Sequence, residues 1–467
     1  MADLPERKFK MPHSFMIIGT IVLICTIATY FIPAGEFDRV LDPATGRNLV
    51  VADSFRFVEQ TPVSPFGMLT AIMEGMVDAS EIIFFTFFSY GFMCMLIRVG
   101  AFDAGVGALI RKLKDKDKYI LPVLIWLFGL MGASWGMYEE VYGFVPVTMG
   151  IAVALGYDAL TGVAISMGSV AIGYAASFVN PYTIAIAQTI AELPLFSGAF
   201  FRIICFIVFM TVYTFYTLRY ANMVKKNPQK SYVLGVDFAV LSQSSKEEMI
   251  ESELTNTHKI SLILFLLTII SIVAGAIMYG WYFYELSGVF ILMMFVIGLI
   301  NGKSFSEICD DFVDISKNIL FGAFVIGIAR AVLVVLRNGC IIDTICYYLA
   351  QSISGLSSTA AAIGMFLIQT IINFLIPSGS GQAVTSMPIM VPLADLLGIN
   401  RQIACLAFQF GDGFSNIFWP TAAATPCAIA GLTLDKWYKF FAPLFGILMI
   451  FQMIFMAIAV AINYGPF

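Results

Sequence analysis

The stretch Asp412-Gly413-Phe414-Ser415-Asn416-Ile417-Phe418-Trp419-Pro420-Thr421 decides how this chain folds, together with its echo Ser177-Phe178-Val179-Asn180-Pro181-Tyr182-Thr183. Each sits inside an apolar run, at 401–432 and 158–193, that is too interrupted to be one regular helix. A proline removes one backbone donor and disturbs the carbonyl a turn earlier, so both runs read as broken helices with freed carbonyls. Irregular backbone at membrane depth must be buried in protein or line a wet cavity. Two such breaks at corresponding places therefore point to a site.

Composition supports a membrane setting. Of 467 residues, 59% are hydrophobic and only 12% charged, about half the charged fraction of an ordinary soluble domain. A soluble fold of this length has too little core to hide that much apolar surface. The net charge of -5 gives no basic face for nucleic acid. Eight cysteines scattered in apolar runs, with no CxxC, read as small buried hydrophobes. No phosphate-binding loop or dinucleotide fingerprint is present, which leaves ATP-driven transport without support.

Further runs long enough to span lie at 14–34, 81–99, 197–218, 259–280, 287–301, 318–336 and 440–463. The first follows Arg7, Lys8 and Lys10 as a signal peptide would, but its length reads as a retained span. Segments 66–80 and 303–317 are expected as amphipathic helices along the interface. Immediately before each broken run comes an apolar segment, 119–155 or 357–396, interrupted in its middle. The interruptions are Gly132-Ala133-Ser134-Trp135-Gly136-Met137-Tyr138-Glu139-Glu140 and Pro377-Ser378-Gly379-Ser380-Gly381-Gln382. Each half is too short to cross, so both segments are expected as re-entrant hairpins.

Five short matches recur in order at nearly one offset. Val77-Asp78 echoes Val313-Asp314 at 236, and Arg98-Val-Gly100 echoes Arg337-Asn-Gly339 at 239. Leu155-Gly156 echoes Leu397-Gly398 at 242. Phe178 to Pro181 and Ile190 to Leu193 echo Ile417 to Pro420 and Ile429 to Leu432, both at 239. The expected organisation is a first repeat over 1–218, a cytoplasmic linker over 219–258 and a second repeat over 259–467. The extra span at 259–280 inserts the second copy upside down, the pattern that marks a midplane binding site. With the N-terminus inside, nineteen basic residues fall on the cytoplasmic side, six outside, and Arg330 within a span, as the positive-inside rule asks.

The candidate site gathers Ser134, Trp135, Gly136, Tyr138, Glu139 and Glu140 at the first tip, and Ser378, Gly379, Ser380 and Gln382 at the second. The breaks add Asn180, Pro181 and Thr183, with Asp412, Ser415, Asn416 and Thr421. Freed carbonyls with Ser, Thr and Asn oxygens suit a hard cation, so sodium is expected at Asn180-Pro181 and at Asn416 to Thr421. Exposed half-helix N-termini suit an anionic group. Carboxylates at such depth are costly and tend to be functional or paired. Glu139, Glu140 and Asp412 can bind a cationic group, carry a proton or hold sodium, with Arg330 as their expected counter-ion.

Met11-Pro-His-Ser14, Phe31-Ile-Pro-Ala-Gly-Glu-Phe37, Asn180-Pro-Tyr-Thr183, Ile376-Pro-Ser-Gly-Ser-Gly-Gln382 and Gly411-Asp-Gly-Phe-Ser-Asn416 resemble the YfcC-type carriers. These are grouped with the anaerobic C4-dicarboxylate carriers of the ion-transporter superfamily, and the resemblance runs along essentially the whole chain. It implies an all-α, multi-pass elevator carrier of the bacterial inner membrane, with a homodimeric scaffold, a sliding transport domain and a small-molecule substrate. YfcC-type members are labelled basic amino acid antiporters, while other relatives in the superfamily carry dicarboxylates, short-chain fatty acids or p-aminobenzoyl-glutamate. Sodium-coupled dicarboxylate relatives carry Ser-Asn-Thr at both tips, which this chain lacks. The acidic candidate residues lean toward an amino acid such as arginine or ornithine, with a dicarboxylate as the alternative. A channel, or an enzyme using Glu139 and Glu140 as acid and base, are the remaining readings.

Overall fold

The computed structural model describes residues 12–42, 47–51, 54–113, 119–134, 136–236, 238, 252–279 and 281–465. The basic residues Arg7, Lys8 and Lys10, the stretch 239–251 of the expected linker, and Trp135 of the expected site lie outside the described residues.

The described residues are mostly helical. Among the described residues six helices are long and apolar enough to cross a membrane: α3 (Ser80–Arg98), α9 (Ala199–Lys226), α11 (Phe283–Ile300), Ile319–Asn338 within α12 (Phe305–Asn338), α14 (Ser358–Leu375) and α18 (Leu434–Ala461). Shorter apolar helices accompany them, including α1 (Ser14–Ala28) and α10 (Asn256–Tyr279). The α1 helix stops well short of the expected residue 34. Gln60 explains the stop, because its Nε2 donates to the Thr29 and Ile32 carbonyls at 2.7 and 2.9 Å, and Ala34 N donates to its Oε1. Carbonyls left orphaned at a helix end need such partners. The chain then makes two small antiparallel pairs, β1 (Gly35–Glu36) with β4 (Arg56–Phe57), and β2 (Arg39–Asp42) with β3 (Arg47–Val50).

Segment 66–80 is a separate helix, α2 (Pro65–Asp78), started by the Ser64 hydroxyl accepting from Gly67 N with Pro65 at the first position. Segment 303–317 is not separate. It is the first part of α12, a 34-residue helix opened by a reciprocal cap between Ser304 and Glu307. At 1.5 Å per residue α12 reaches about 50 Å, well beyond a hydrocarbon core of about 30 Å. Its acidic start therefore stands clear of the span.

Both interrupted segments are helix pairs around irregular tips. In the first, α5 (Ile120–Ser134) leads through a 3-10 turn, Glu139–Phe144, to α6 (Val145–Ala154). In the second, α14 leads through Ile376 to Ser378 into α15 (Gly379–Leu396), which carries Pro388 and Pro392 inside it. Both long runs break where expected. Helix α7 (Ala159–Ala175) ends before 176–183, and α8 (Ile184–Ile190) resumes. Helix α16 (Arg401–Asp412) gives way to a 3-10 turn, Phe414–Ile417, and then α17 (Pro420–Ile429).

The recurring short matches turn out to be helix ends. Gly156 and Gly398 both take φ near the left-handed region, +83° and +62°, which only glycine adopts without strain. Each closes its hairpin helix, with Tyr157 N and Ile399 N reaching back to Ala152 and Ala394 carbonyls. Two residues on, Asp158 and Asn400 cap α7 and α16. Glu192 and Gly431 are left-handed in the same way, after α8 and α17. The Val-Asp match is different: Asp78 ends α2, whereas Asp314 lies inside the unbroken α12.

Helices α1, α2, α3, α11 and α12 pack against one another, and the interrupted segments pack with α9 and α18. The two groups meet where α12 contacts α17 and where α3 contacts the first tip. Small residues let backbones approach there and within each group: Gly75 lies against Gly327 and Ala331, and Gly129 against Gly173.

Candidate functional site

The two tips and the two breaks converge. A cavity of about 280 Å³ is lined by Gly136, Glu139 and Glu140 from the first tip and by Ser378, Gly379 and Ser380 from the second. Tyr174 and Tyr182, on either side of the first break, and Tyr282, just before α11, complete its wall. A smaller cavity of about 80 Å³ includes Glu139, Tyr138, Asn416, Thr421, Pro377 and Arg330. Glu139 faces both. The lining of the larger cavity includes two carboxylates and no lysine or arginine.

Gly136 has φ +75°, and a Cβ there would collide with the Asn180 side chain. The first tip therefore rests directly on the first break. Asn180 is fully buried; its Nδ2 donates to Ser177 Oγ at 3.3 Å and its Oδ1 accepts from Tyr182 N at 2.8 Å. Phe178 N donates to Ala133 O at 3.1 Å, a second stitch between break and hairpin. Glu140 Oε2 accepts from Tyr138 N at 2.9 Å, which orients the acidic pair.

On the other side Asp412 is fully buried and belongs to a polar cluster with the expected Gln382, Ser415 and Asn416, whose central residue sequence reasoning missed. Asn373 of α14 is its centre. Its Nδ2 lies 3.1 Å from Gln382 Oε1, 3.1 Å from Asp412 Oδ1 and 2.9 Å from Asn416 Oδ1. Its Oδ1 accepts from Ser415 Oγ at 2.7 Å. Gln382 also donates to Gln369, one turn before Asn373. Gln369 and Asn373 at i and i+4 on an apolar helix were the available signal, and only their burial reveals its use. Asp412 Oδ2 has no hydrogen-bond partner among the described residues, nor has the hydroxyl of buried Thr183. Both side chains crowd Gly379, where a Cβ would lie 2.6 Å from Thr183 Cγ2 and 2.8 Å from Asp412 Oδ2 and Tyr174 Oη.

The remaining candidates are less central. Ser134 Oγ donates to Leu130 O within its own helix and does not line the cavities. Pro181 is exposed. Thr421 Oγ1 donates to Phe374 O at 3.0 Å and Trp419 Nε1 to Thr370 O at 2.7 Å, fixing the second break to α14.

Two expectations need correction. Arg330 is not the ion-pair partner of Glu139, Glu140 or Asp412; its Nε lies 2.7 Å from Asp78 Oδ2 at the end of α2. The freed carbonyls are not all open to a cation. Ser177 O and Phe178 O accept from Arg202, while Ile417 O and Phe418 O accept from Trp437 Nε1 and Tyr438 Oη at 2.7 Å each. A carbonyl at that depth gains by finding the nearest donor, and the helix after each break supplies one. At the two breaks, the side-chain oxygens Asp412 Oδ2 and Thr183 Oγ1 have no hydrogen-bond partner among the described residues.

Comparison with known proteins follows the same lines. Residues 11–461 match the family model described as C4-dicarboxylate anaerobic carrier, DcuC. A protein of Escherichia coli K12 named "Putative basic amino acid antiporter YfcC" is 32% identical, the match covering 96% of each chain. An uncharacterized protein of Haemophilus influenzae is 26% identical over 99% of each chain. Among solved structures, the YdaH transporter of Alcanivorax borkumensis is similar with a TM-score of 0.44 and 13% identity, covering 97% of this chain and 100% of its own.

Proposed function

This chain belongs to the C4-dicarboxylate anaerobic carrier family, and from that premise we propose that it is a secondary active transporter of the bacterial inner membrane that carries a small organic solute, a basic amino acid, by exchange or ion coupling. That it is a multi-pass membrane protein follows from its family and its apolar helices. The observation that carries the substrate reading is the lining of the 280 Å³ cavity, with Glu139 and Glu140 on one wall and no basic side chain. Carboxylates at membrane depth favour a ligand that brings the opposite charge. The tyrosine walls add ring faces that attract a cation. The name carried by the Escherichia coli relative agrees with this reading.

In the proposed cycle, helices α5 to α9 and α14 to α18 slide as a transport domain past a scaffold of α1 to α3, α11 and α12, dimeric in the membrane, with the N-terminus cytoplasmic. The cross-pairing of Arg98 with Asp314 and of Arg337 with Asp78 supports two halves related by inversion, since each matched motif meets the other half's partner. Sodium or a proton would couple at Asp412 Oδ2 and Thr183 Oγ1, buried oxygens at the breaks that have no hydrogen-bond partner among the described residues.

One observation favours a second reading, a sodium- or proton-coupled C4-dicarboxylate carrier. The N-terminus of the 18-residue helix α15 opens on the cavity through Ser378, Gly379 and Ser380, and helix N-termini suit carboxylates. Thermal stabilisation of the purified protein by amino acids and dicarboxylates, with and without sodium, separates the two, because a ligand of the folded state raises the melting temperature by mass action. A shift with arginine or ornithine supports the first reading. A shift only with succinate or fumarate plus sodium replaces it by the second.

A further inference from the structure

Arg202 occupies an unusual position. It lies in the first turn of α9, is fully buried, and forms no ion pair among the described residues. Its five donor contacts go to neutral oxygens. Nε meets Ser177 O at 3.0 Å; Nη2 meets Phe178 O at 3.2 Å and Phe196 O at 3.4 Å; Nη1 meets Ser197 O and Tyr464 Oη at 2.9 Å each. Tyr464, after the last helix, is itself buried and donates to Gly198 O at 2.7 Å while accepting from Gln402 Nε2 at 3.3 Å. Its ring packs on Phe201 at 4.8 Å.

The guanidinium thus covers the two carbonyls released where α7 stops, next to the break that supports Gly136 through Asn180. Ser177 Oγ donates to Tyr174 O and Gly132 O, and Phe178 N holds Ala133 O. Arg202, Ser177, Tyr174 and the first tip therefore form one continuous chain of hydrogen bonds ending at the cavity wall. The second break has neutral indole and phenol donors in the equivalent role, whereas a guanidinium fills that role beneath the first.

We propose that Arg202, steered by Tyr464, is a positioning residue for the substrate cavity: it sets the first break so that Asn180 and Tyr174 present the first tip to the second. The consequence for transport rests on the carrier reading; the consequence for the break does not. Lysine cannot replace the fork, because a point-like ammonium on a flexible stem cannot direct five donors at four carbonyls and a hydroxyl. Tyr464→Phe is milder, since it keeps the ring and removes one acceptor of the fork.

The test uses full-length Arg202→Lys and Tyr464→Phe proteins in lipid nanodiscs and proteoliposomes. Amide hydrogen exchange should rise at least tenfold over residues 176–183 in Arg202→Lys and severalfold in Tyr464→Phe, with residues 283–300 unchanged. In L-arginine counterflow, or succinate uptake with sodium if that is what the wild type carries, KM should rise at least fivefold while the maximal rate changes less than twofold. A merely structural loss would instead lower the maximal rate at constant KM. Unchanged exchange at 176–183, exchange raised equally in 283–300, or a constant KM would each overturn the proposal. If Arg202→Lys does not fold, Tyr464→Phe alone decides by the same criteria. If the wild type moves neither solute, the carrier reading fails while the exchange result still decides whether Arg202 holds the break.

Discussion

Asp412 and Gly379, which come from different halves of the chain's second interrupted unit, meet so closely that a single methyl group on Gly379 would stand 2.8 Å from Asp412 Oδ2. Thr183 of the first break lies on the same spot, 2.6 Å from that methyl position through its Cγ2. Three elements far apart in sequence thus share one atom's width of space. Gly379→Ala should therefore push the second tip away from both breaks. We expect uptake to fall at least tenfold, with the protein still monodisperse and its melting temperature lowered by only a few degrees, because the tip borders a cavity and can yield. Uptake within twofold of wild type would show that the tip does not need this contact.

Asp412→Asn separates charge from shape. Asp412 Oδ1 accepts from Asn373 and Asn416 at 3.1 Å each, and an asparagine oxygen can accept both. Only the atom without a partner, Oδ2, changes its nature. The variant should keep wild-type helicity and stability yet lose uptake by two orders of magnitude if this carboxylate binds the substrate's cation. Retained uptake with loss of sodium or proton dependence would assign it to the coupling ion; fully normal uptake would leave it a structural acceptor.

How much of this could be read beforehand depends on whether the signal was local. Broken helices, hairpin tips and the left-handed ends at Gly156 and Gly398 are written in proline, glycine and apolar runs, and they appear where those residues place them. The end of α1 was not legible, because it depends on Gln60, 31 positions away from Thr29. The partner of Arg330 was misjudged for a similar reason. Depth along the membrane suggested Glu139, but the close packing of α2 on α12 through Gly75 and Gly327 brings Asp78 nearer. Asn373 stayed hidden because two amides at i and i+4, Gln369 and Asn373, do not by their spacing distinguish a hub from two separately satisfied groups.

A pH dependence follows from the start of α12, outside the span. The Ser304 backbone amide, followed by its hydroxyl, holds Glu307 below the ordinary glutamate range, and Arg98, followed by Lys317, does the same for Asp314. A carboxylate whose pKa is lower folded than unfolded adds stability that is fully present above its unfolded value, about 4, and that is lost as pH falls through its folded one. Melting temperature should therefore decline below about pH 4.5. In Glu307→Gln combined with Asp314→Asn the decline should be shallower, and the variant should be less stable than wild type at pH 7. Parallel curves for the two proteins would rule out these groups as its source.

The ion pairs between α2, α3 and α12 give the last prediction. Arg330 Nε sits 2.7 Å from Asp78, with each side chain 29% exposed, and Arg337 approaches the same carboxylate at 3.9 Å. Arg98 pairs with Asp311 and Asp314 in the opposite sense. Because Arg330 also borders the small cavity with Glu139, its removal has two separable effects. Arg330→Gln leaves Asp78 with only the distant Arg337, and should cost roughly 1 kcal/mol, the upper end for a partly exposed pair. Exchanging the charges in Asp78→Arg with Arg330→Asp should recover most of that stability in a double-mutant cycle. It should not recover transport, because the exchange places a third carboxylate beside Glu139 and takes away the nearest positive charge. Recovery of both would mean that Arg330 serves the fold alone. Recovery of neither would mean that the contact between α2 and α12 depends on the order of the charges, as it would where Gly75 and Gly327 leave no room for the longer arginine side chain on α2.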